Sequence, residues 1–264
     1  MASFTDKKIS EVYKDILHTD NSNTGIDSNI KQIKCGDGDT SALYLSDRNL
    51  KAQPSTDSTT NSVICDADGN ALLTVDSTND LVKAGIGQHT VNTQYAYFGI
   101  GSEAQALLAA NTHYGVPFFG MVNKVSMWDV DFGTGTDPDT SFTTANTSSQ
   151  YGSQLAGMLW YVPDNITIDA VYSIEGGDAN ATDTTRMHMY SYTYNSGSTS
   201  ALADGTLLAH NSDVTNEGNT KTYLSTWTVD SANVAGGKVI WSFFRSDSVN
   251  SDFTTNITVK YHLR

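Results

Sequence analysis

The feature that most constrains this chain is a series of short runs rich in β-branched and aromatic residues in its C-terminal part. A cluster of Gly, Asn, Asp or Ser separates each run from the next, and no helical period intervenes. Recurrent strands joined by turns are typical of antiparallel sheets packed face to face. The sequence therefore predicts an all-β fold in which residues 91–264 form a jelly-roll-like antiparallel β-sandwich. The clearest runs are residues 158–162, 166–174, 186–194, 206–209, 222–229, 238–245 and 255–262.

The composition also favours strands and turns over helix. The chain has 28 Ser, 33 Thr and 20 Asn among its 264 residues, while only 17% of the residues are charged. Thr suits a pleated strand, and Ser and Asn suit the bends between strands. A helical bundle is therefore excluded.

The net charge of −14 limits the partners of the chain. Affinity for nucleic acid rests on clustered Lys and Arg, and here 15 basic residues stand against 29 acidic ones. No run approaches the roughly 20 apolar residues that cross a bilayer, and the first 14 residues lack the apolar stretch of a secretory signal. We expect no nucleic acid, no membrane insertion and folding in the cytoplasm of the cell that makes the protein. Cys35 and Cys65 would be reduced thiols there, with their pairing left open.

The N-terminal segment, residues 1–30, carries the clearest helical period. Its apolar residues recur at i, i+3, i+4, i+7 and i+8, which predicts one short amphipathic helix. An isolated helix shorter than about 12 residues is marginal in water, so this helix needs a surface on which to dock. The apolar stripe consists of Ile9, Val12, Tyr13, Ile16 and Leu17.

Residues 31–90 contain an internal repeat. Cys35–Asp47 aligns with Cys65–Ser77 at an offset of 30 residues, and each copy reads as a Gly-Asp turn followed by short alternating strands. So polar a unit cannot bury its own apolar face and must stack or associate. We therefore predict an elongated β-repeat stalk whose copies associate along a shared apolar axis. The candidate side chains along that axis are Leu43, Leu45, Leu73 and Val75.

Enzymatic motifs are weak throughout the chain. It has no Gly-x-Ser-x-Gly, His-Glu-x-x-His, phosphate-loop or Cys-x-x-Cys pattern. Two carboxylate pairs have a spacing that suits glycoside hydrolysis, Glu175 with Asp178 and Asp129 with Asp131. Because acid-rich turns are common in so acidic a chain, we expect no catalysis, no cofactor and no metal centre.

The segment from Asp66 to Asn70 resembles the start of a calcium loop. The helical-hand pattern requires Gly at its sixth position and Glu at its twelfth, where this chain has Ala71 and Ser77. We therefore predict a tight turn with Gly69 in a left-handed conformation. The same interpretation applies to residues 37–39, and calcium binding by these turn aspartates is left open.

The run at residues 186–194 places several rings with polar tips on one side of a strand, because side chains alternate between faces. Such rings can stack on sugars, and Tyr and Arg are also typical of subunit interfaces or of sheet packing. All three hypotheses stay open for Arg186, His188, Tyr190, Tyr192 and Tyr194. The tryptophans that lie within strand runs are predicted to be core residues: Trp160, Trp227 and Trp241.

Several stretches of the sequence resemble structural proteins of tailed bacteriophages. Residues 8–27, 34–46 and 71–80 are similar to the N-terminal part of fibre and decoration proteins, especially those of marine podophages, and residues 158–178 resemble phage structural proteins of uncharacterised role. The resemblance implies a homotrimeric virion protein whose N-terminal segment attaches to the particle and whose C-terminal β domain projects. It transfers no catalytic or binding residue to this chain.

The residues and the resemblance together predict a non-enzymatic capsid fibre or decoration (cement) protein. Its partners would be two further copies of itself and the phage major capsid protein, with the stripe from Ile9 to Leu17 at the attachment point. The acidic balance favours the outer capsid surface of the virion over the side that faces nucleic acid. Two alternatives stay open: a tail fibre or receptor-binding protein that contacts a host surface glycan, and a carbohydrate-binding β-sandwich.

Overall fold

The computed structural model describes residues 16–19, 21, 24–91, 93–101, 110–118, 152–177, 182–197, 202–218, 220–247 and 253–264. Within these ranges the protein contains twenty β-strands and one short α-helix, which confirms the predicted all-β class. By contacts the chain divides into two compact units, residues 1–91 and residues 92–264. Among the described residues, no helix combines the length and the apolar character needed to cross a bilayer.

The N-terminal unit contains two antiparallel sheets of four strands each, and every strand in them pairs with its neighbour in sequence. The first N-terminal sheet consists of β1 (His18–Thr19), β2 (Lys31–Lys34), β3 (Thr40–Leu45) and β4 (Leu50–Ala52). The second N-terminal sheet consists of β5 (Ser62–Cys65), β6 (Ala71–Asp76), β7 (Leu81–Ala84) and β8 (His89–Thr90).

Each N-terminal sheet has a glycine with a left-handed backbone conformation in one of its turns, between β2 and β3 in the first sheet and between β5 and β6 in the second. Gly38 and Gly69 have φ angles of 93° and 86°, a region that glycine enters without steric cost. Their N–H groups donate to the carbonyl oxygens of Cys35 and Asp66, at 3.0 and 3.2 Å. The predicted left-handed turn at Gly69 is therefore confirmed.

The C-terminal unit is an antiparallel, sandwich-like arrangement of two sheets. In chain order its elements are β9 (Thr93–Gly101), β10 (His113–Val116), α1 (Gly152–Met158), β11 (Trp160–Tyr161), β12 (Ile166–Gly177), β13 (Thr184–Thr193), β14 (Ala203–His210), β15 (Val214–Thr215), β16 (Tyr223–Thr226), β17 (Thr228–Val229), β18 (Asn233–Val234), β19 (Lys238–Ser246) and β20 (Phe253–Leu263).

One sheet of this unit has five strands in the order β16-β12-β20-β9, with β18 paired to β12. The other has seven strands in the order β10-β19-β13-β14-β17, with β11 paired to β19 and β15 paired to β13. Each of the seven runs identified in the sequence contains a strand. The run at residues 158–162 begins too early, because Met158 ends the helix α1 and the strand starts at Trp160.

The main core lies between the two sheets of the C-terminal unit and joins their inward-facing side chains. Phe244 of β19 stacks on Phe253 of β20 with ring centroids 3.8 Å apart. Full burial of one large apolar side chain contributes about 1.5–3 kcal/mol, so this layer is the main source of stability. The three tryptophans predicted as core residues, Trp160, Trp227 and Trp241, are all buried.

The seven-stranded sheet also carries a second buried cluster on its outward face. Leu155 of α1 and Leu159 pack against this cluster. The indole of Trp241 lies directly over Gly115, where an added Cβ would stand 2.6 Å from the ring. This sheet is therefore covered on both faces, so its strands cannot alternate between buried and exposed residues.

Candidate functional site

The described part of the N-terminal unit buries polar side chains and leaves its apolar ones in contact with solvent. Its fully buried side chains are those of Ser46, Thr74 and Asp76. Among these described residues no apolar side chain is fully buried, whereas eleven large apolar ones are exposed. The exposed set is Leu17, Ile26, Ile30, Leu43, Leu50, Val63, Ile64, Leu72, Val82, Ile86 and Val91.

In the first N-terminal sheet, the strand register gathers aliphatic side chains on one side. Leu45 pairs with Leu50 and Leu43 pairs with Ala52, and directly paired residues point to the same face. Leu50 is 70% exposed and Leu43 is 42% exposed. We call these four residues the first aliphatic face, and it includes two of the side chains predicted for a shared axis.

The second N-terminal sheet has an aliphatic face of the same kind. Ile64 pairs with Leu73, and Val75 pairs with Val82. Leu73 also pairs with Ala84 on its other side. Ile64 is 59% exposed and Val82 is 41% exposed. These five residues form the second aliphatic face, which contains the other two predicted axial side chains, Leu73 and Val75, both half-buried.

The opposite side of the second N-terminal sheet, its polar side, carries a buried cluster of hydrogen-bonded polar groups. The Lys83 ammonium donates to the Asp76 carboxylate at 2.8 Å, and the Asn79 amide donates to the same carboxylate. These hydrogen bonds, with that from Lys83 first, lower the pKa of Asp76 to about 2. Buried polar groups with partners need nothing further, so this cluster has no need of a polar group from another chain.

The first N-terminal sheet divides in the same way. Its other side carries Gln32 and Tyr44, which pair with each other, and Lys51, which pairs with Tyr44 and places its ammonium 5.2 Å from the centre of the Tyr44 ring. In each sheet, therefore, one side carries the polar side chains that contact each other, and the other carries an aliphatic face that is open to water. The division is not complete, because Lys31 pairs with Leu45 in the first sheet, and the exposed Val63 and Leu72 lie on the polar side of the second.

The two hairpins correspond at a different offset from the one that the sequence alignment gives. Gly38 and Gly69 occupy the same turn position, which is an offset of 31 residues rather than 30. A shift of one residue exchanges the two faces of a strand. By structure Leu43 corresponds to Thr74, so the predicted equivalence of Leu43 with Leu73 is corrected. The aliphatic faces lie on opposite sides of their two hairpins.

Only the end of the predicted attachment stripe falls within the described residues. Ile16 and Leu17 are not helical there, and Leu17 is 70% exposed. The predicted helix is therefore wrong at these two positions. Ile9, Val12 and Tyr13 lie outside the described residues.

The predicted face on β13 exists, but most of it is packed. Arg186, His188, Tyr190 and Tyr192 share one side of the strand, and Tyr190 and Tyr192 belong to the outward cluster of the seven-stranded sheet. His188, Tyr190 and Tyr192 are at most 1% exposed, so they present no surface to a sugar. Tyr194, beyond the end of the strand, is 42% exposed. Sheet packing is the hypothesis that fits the buried residues.

Glu175 is a buried carboxyl that bridges the two sheets of the C-terminal unit. Thr185 Oγ1 donates to its Oε2 at 2.8 Å, and Asn211 Nδ2 donates to its Oε1 at 3.3 Å. Burial raises the pKa of Glu175 to about 7, and the hydrogen bonds from Thr185 and Ser225 oppose that rise. A carboxyl with this pKa can hold or release a proton near neutral pH.

The space beside Glu175 is too small for a sugar. The cavity measures about 20 Å³ and is lined by residues that include Thr185, Tyr223 and Phe253. This volume holds roughly one water molecule. The proposed partner Asp178, and the pair Asp129 and Asp131, lie outside the described residues. Among the described residues, the contacts of Glu175 are hydrogen bonds that join the two sheets.

The turn aspartates are mostly engaged within their own turns. Asp66 Oδ1 accepts the backbone N–H groups of Asp68 and Asn70 at 3.0 and 2.8 Å. Cys35, Asp37 and Asp39 lie close enough together to hold an ion, but Cys35 Sγ already donates to the Asp37 carboxylate. Both Cys35 and Cys65 are free thiols, so they form no disulfide with each other.

The sequence did not single out the exposed side of the five-stranded sheet. Tyr95 and Tyr97 on β9 are 54% and 51% exposed, and Tyr172 on β12 is 39% exposed. Thr258 of β20 pairs with both Tyr97 and Tyr172, so a hydroxyl lies between two rings. The i, i+2 spacing of Tyr95 and Tyr97 was the available signal, because it places both rings on one face. We call Tyr95, Tyr97, Tyr172 and Thr258 the tyrosine face.

Comparison of the sequence with protein-family models and with curated proteins identifies no relative. No protein-family model matches the sequence, and a search of curated proteins finds no significant match.

Proposed function

We propose that the protein is a non-enzymatic structural component of a phage virion, a homotrimeric capsid fibre or decoration protein. The observation that carries this proposal is the pair of aliphatic faces in the N-terminal unit. Each aliphatic side chain that passes from water into an interface contributes about 1.5–3 kcal/mol when burial is complete. Two sheets that bury no apolar residue in one chain gain a core when copies associate.

The number of copies and the particle come from the resemblance to phage fibre and decoration proteins. In this proposal residues 31–90 form an elongated trimeric stalk, with Leu43 and Leu45 of the first aliphatic face and Leu73 and Val75 of the second toward the threefold axis. Residues 91–264 form the outward, jelly-roll-like domain. The net charge of −14 favours the outer capsid surface, since it opposes contact with packaged nucleic acid.

A pair of lysine substitutions on opposite sides of one sheet tests the association. Val82 of the second aliphatic face is 41% exposed, and Val63, which pairs with Thr74 on the polar side, is 42% exposed. Val82→Lys places a charge within the proposed interface and should dissociate the trimer, whereas Val63→Lys should leave it intact. Light scattering after size-exclusion chromatography measures the mass, and far-UV circular dichroism checks that both variants fold.

The wild-type protein should have the mass of three 28.5 kDa chains. A wild-type monomer would refute the shared-axis proposal, and so would equal behaviour of Val82→Lys and Val63→Lys. A different oligomer that dissociates only in Val82→Lys would retain the interface and refute the threefold number.

Attachment to the particle needs its own experiment. Deletion of residues 1–20 should abolish binding to purified phage heads, while tryptophan fluorescence shows that the C-terminal unit stays folded. Retained binding would contradict attachment through the N-terminal segment. Electron microscopy of labelled particles distinguishes the head from the tail, and a signal at the tail would select the tail-fibre or receptor-binding alternative.

The tyrosine face favours a second candidate function, contact with a carbohydrate on the host surface. Exposed rings can stack on the apolar side of a sugar while nearby hydroxyls bind its polar groups, and Thr258 lies between Tyr97 and Tyr172. Tyr97→Ala should abolish glycan-array binding. Tyr161→Ala is a control of similar exposure, 56%, on another strand. An array without signal for the wild-type protein would exclude this function.

A further inference from the structure

Two arginines stand directly opposite each other on the outward side of the seven-stranded sheet. Arg186 of β13 pairs with Arg245 of β19, and Arg245 pairs on its other side with His113 of β10. Directly paired residues on one face have Cβ atoms about 5 Å apart, and like charges in that position are destabilising. Three basic side chains therefore form one row across three strands.

The charge of Arg245 is buried and poorly compensated. Arg245 is 9% exposed, and its Nη2 donates to the amide oxygen of Asn111 at 2.6 Å. Its Nε is buried and has no hydrogen-bond partner within the part of the chain that the structure describes. An arginine so deeply buried normally faces a carboxylate, because an unpaired charge is costly to remove from water. Asn111 is neutral and cannot balance it.

Arg186 has a carboxylate neighbour, but a distant one. Its Nη1 lies 3.7 Å from Asp213 Oδ1, and the Asp213 side chain is 57% exposed. The Nε of Arg186 is also buried and finds no hydrogen-bond partner among the described residues. An exposed ion pair at this distance contributes little, so among the described residues the two guanidinium groups have one weak counter-charge, Asp213.

Histidines complete the surroundings of this row. His188 lies one row further along β13, and its ring centroid is 5.8 Å from that of His113. Burial first, and then the nearby His113, Arg186, His210 and Arg245, lower the pKa of His188 to about 2. His188 is therefore neutral near pH 7, whereas both arginines are charged.

We propose that Arg186 and Arg245 form a binding site for an oxyanion, a phosphate, sulfate or carboxylate group. The planar guanidinium group binds such anions through paired N–H donors, and each arginine has a buried Nε–H that no described residue accepts. The side chain of Arg186 is 27% exposed, which gives the anion a path from solvent. This site goes beyond the proposed structural role and does not depend on association of the N-terminal unit.

The anion has two sources with the same chemistry, a free inorganic ion or the acidic group of a polysaccharide. The test measures the binding of sodium phosphate to the full-length protein by calorimetry and thermal unfolding, with sodium chloride of equal ionic strength as the reference. A second arm uses an oligomer of galacturonic acid. Binding of phosphate alone assigns the site to a small ion, whereas binding of both, in competition, assigns it to the acidic group of a glycan.

The variants are Arg186→Gln and Arg245→Gln, with Lys221→Gln as the control. Lys221 is an exposed cation of the same unit, so the control removes the same charge away from the site. Phosphate affinity should fall about tenfold or more in each arginine variant and stay unchanged in the control. Since Arg186 is partly exposed, its variant tests the proposal even if Arg245→Gln fails to fold. Equal stabilisation of wild-type protein by phosphate and chloride, or unchanged affinity in Arg186→Gln, would overturn it.

Discussion

Replacement of Glu175 by glutamine should change how the stability of the C-terminal unit depends on pH. The pKa of this buried carboxyl is about 7 in the folded protein, against an ordinary value of 4.5. The folded state therefore holds the proton more tightly than the unfolded state does. The stability that protonated Glu175 contributes is fully present below pH 4.5 and is lost as the pH rises through 7.

The magnitude follows from the difference between the two pKa values. Each pKa unit corresponds to 1.36 kcal/mol, so ionisation of Glu175 costs the folded state about 3 kcal/mol in full, and about 2 to 3 kcal/mol of that falls between pH 5 and pH 8. The glutamine side chain of the variant would carry no charge at either pH. Glu175→Gln should therefore not lose this free energy of unfolding between pH 5 and pH 8. At pH 8 the variant should be more stable than the wild-type protein.

Denaturant unfolding at pH 5 and pH 8 measures this difference. Tryptophan fluorescence reports on the correct unit, because all four tryptophans of the chain lie beyond residue 91. Glu217→Gln is the matched control. Glu217 is exposed, and its hydrogen bond with Lys221 lowers its pKa. The pH dependence of stability that Glu217 contributes therefore falls below pH 5. If wild type and Glu175→Gln lose the same free energy of unfolding from pH 5 to pH 8, the argument for a buried, protonated carboxyl is wrong.

Three further substitutions probe the outward side of the seven-stranded sheet. The folded pKa of His188 is about 2, against an ordinary 6.5, so acidification from pH 7 to pH 5 should cost wild type about 2 kcal/mol that His188→Phe does not lose; equal losses in denaturant unfolding would contradict this. Gly115→Ala should destabilise the protein by about 1–3 kcal/mol through overpacking against Trp241. The combination with Trp241→Leu should cost less than the sum of the single changes, and a strictly additive double variant would show that the two residues do not clash.

Local features of the sequence predict much of the fold. The alternation of apolar residues locates the strands of the C-terminal unit, and the turn residues locate the hairpin at Gly69. Both signals depend on a few neighbouring residues, whose backbone preferences hold in many contexts. The helix α1 escaped prediction because it is short and followed immediately by a strand that contains Trp160.

The candidate site was predictable only in part. Leu43, Leu45, Leu73 and Val75 do lie on aliphatic faces, since alternation assigns them to one side of their strands. Their correspondence between the two sheets was misassigned by one residue, because alignment of letters does not reveal the pairing register. Their neighbours on these faces, such as Leu50 and Ile64, come from adjacent strands and emerge only once the strands are paired.

The sequence by itself determined which segments are strands, where the chain turns and which side chains share a face, because these properties follow from the geometry of a single strand. Only the tertiary structure decided the environment of each face. Tyr190 and Tyr192 lie under a second packed layer, Tyr95 and Tyr97 remain exposed, and Glu175 is enclosed between two sheets. The difference depends on residues distant in sequence that pack against each face, and no local pattern encodes that contact.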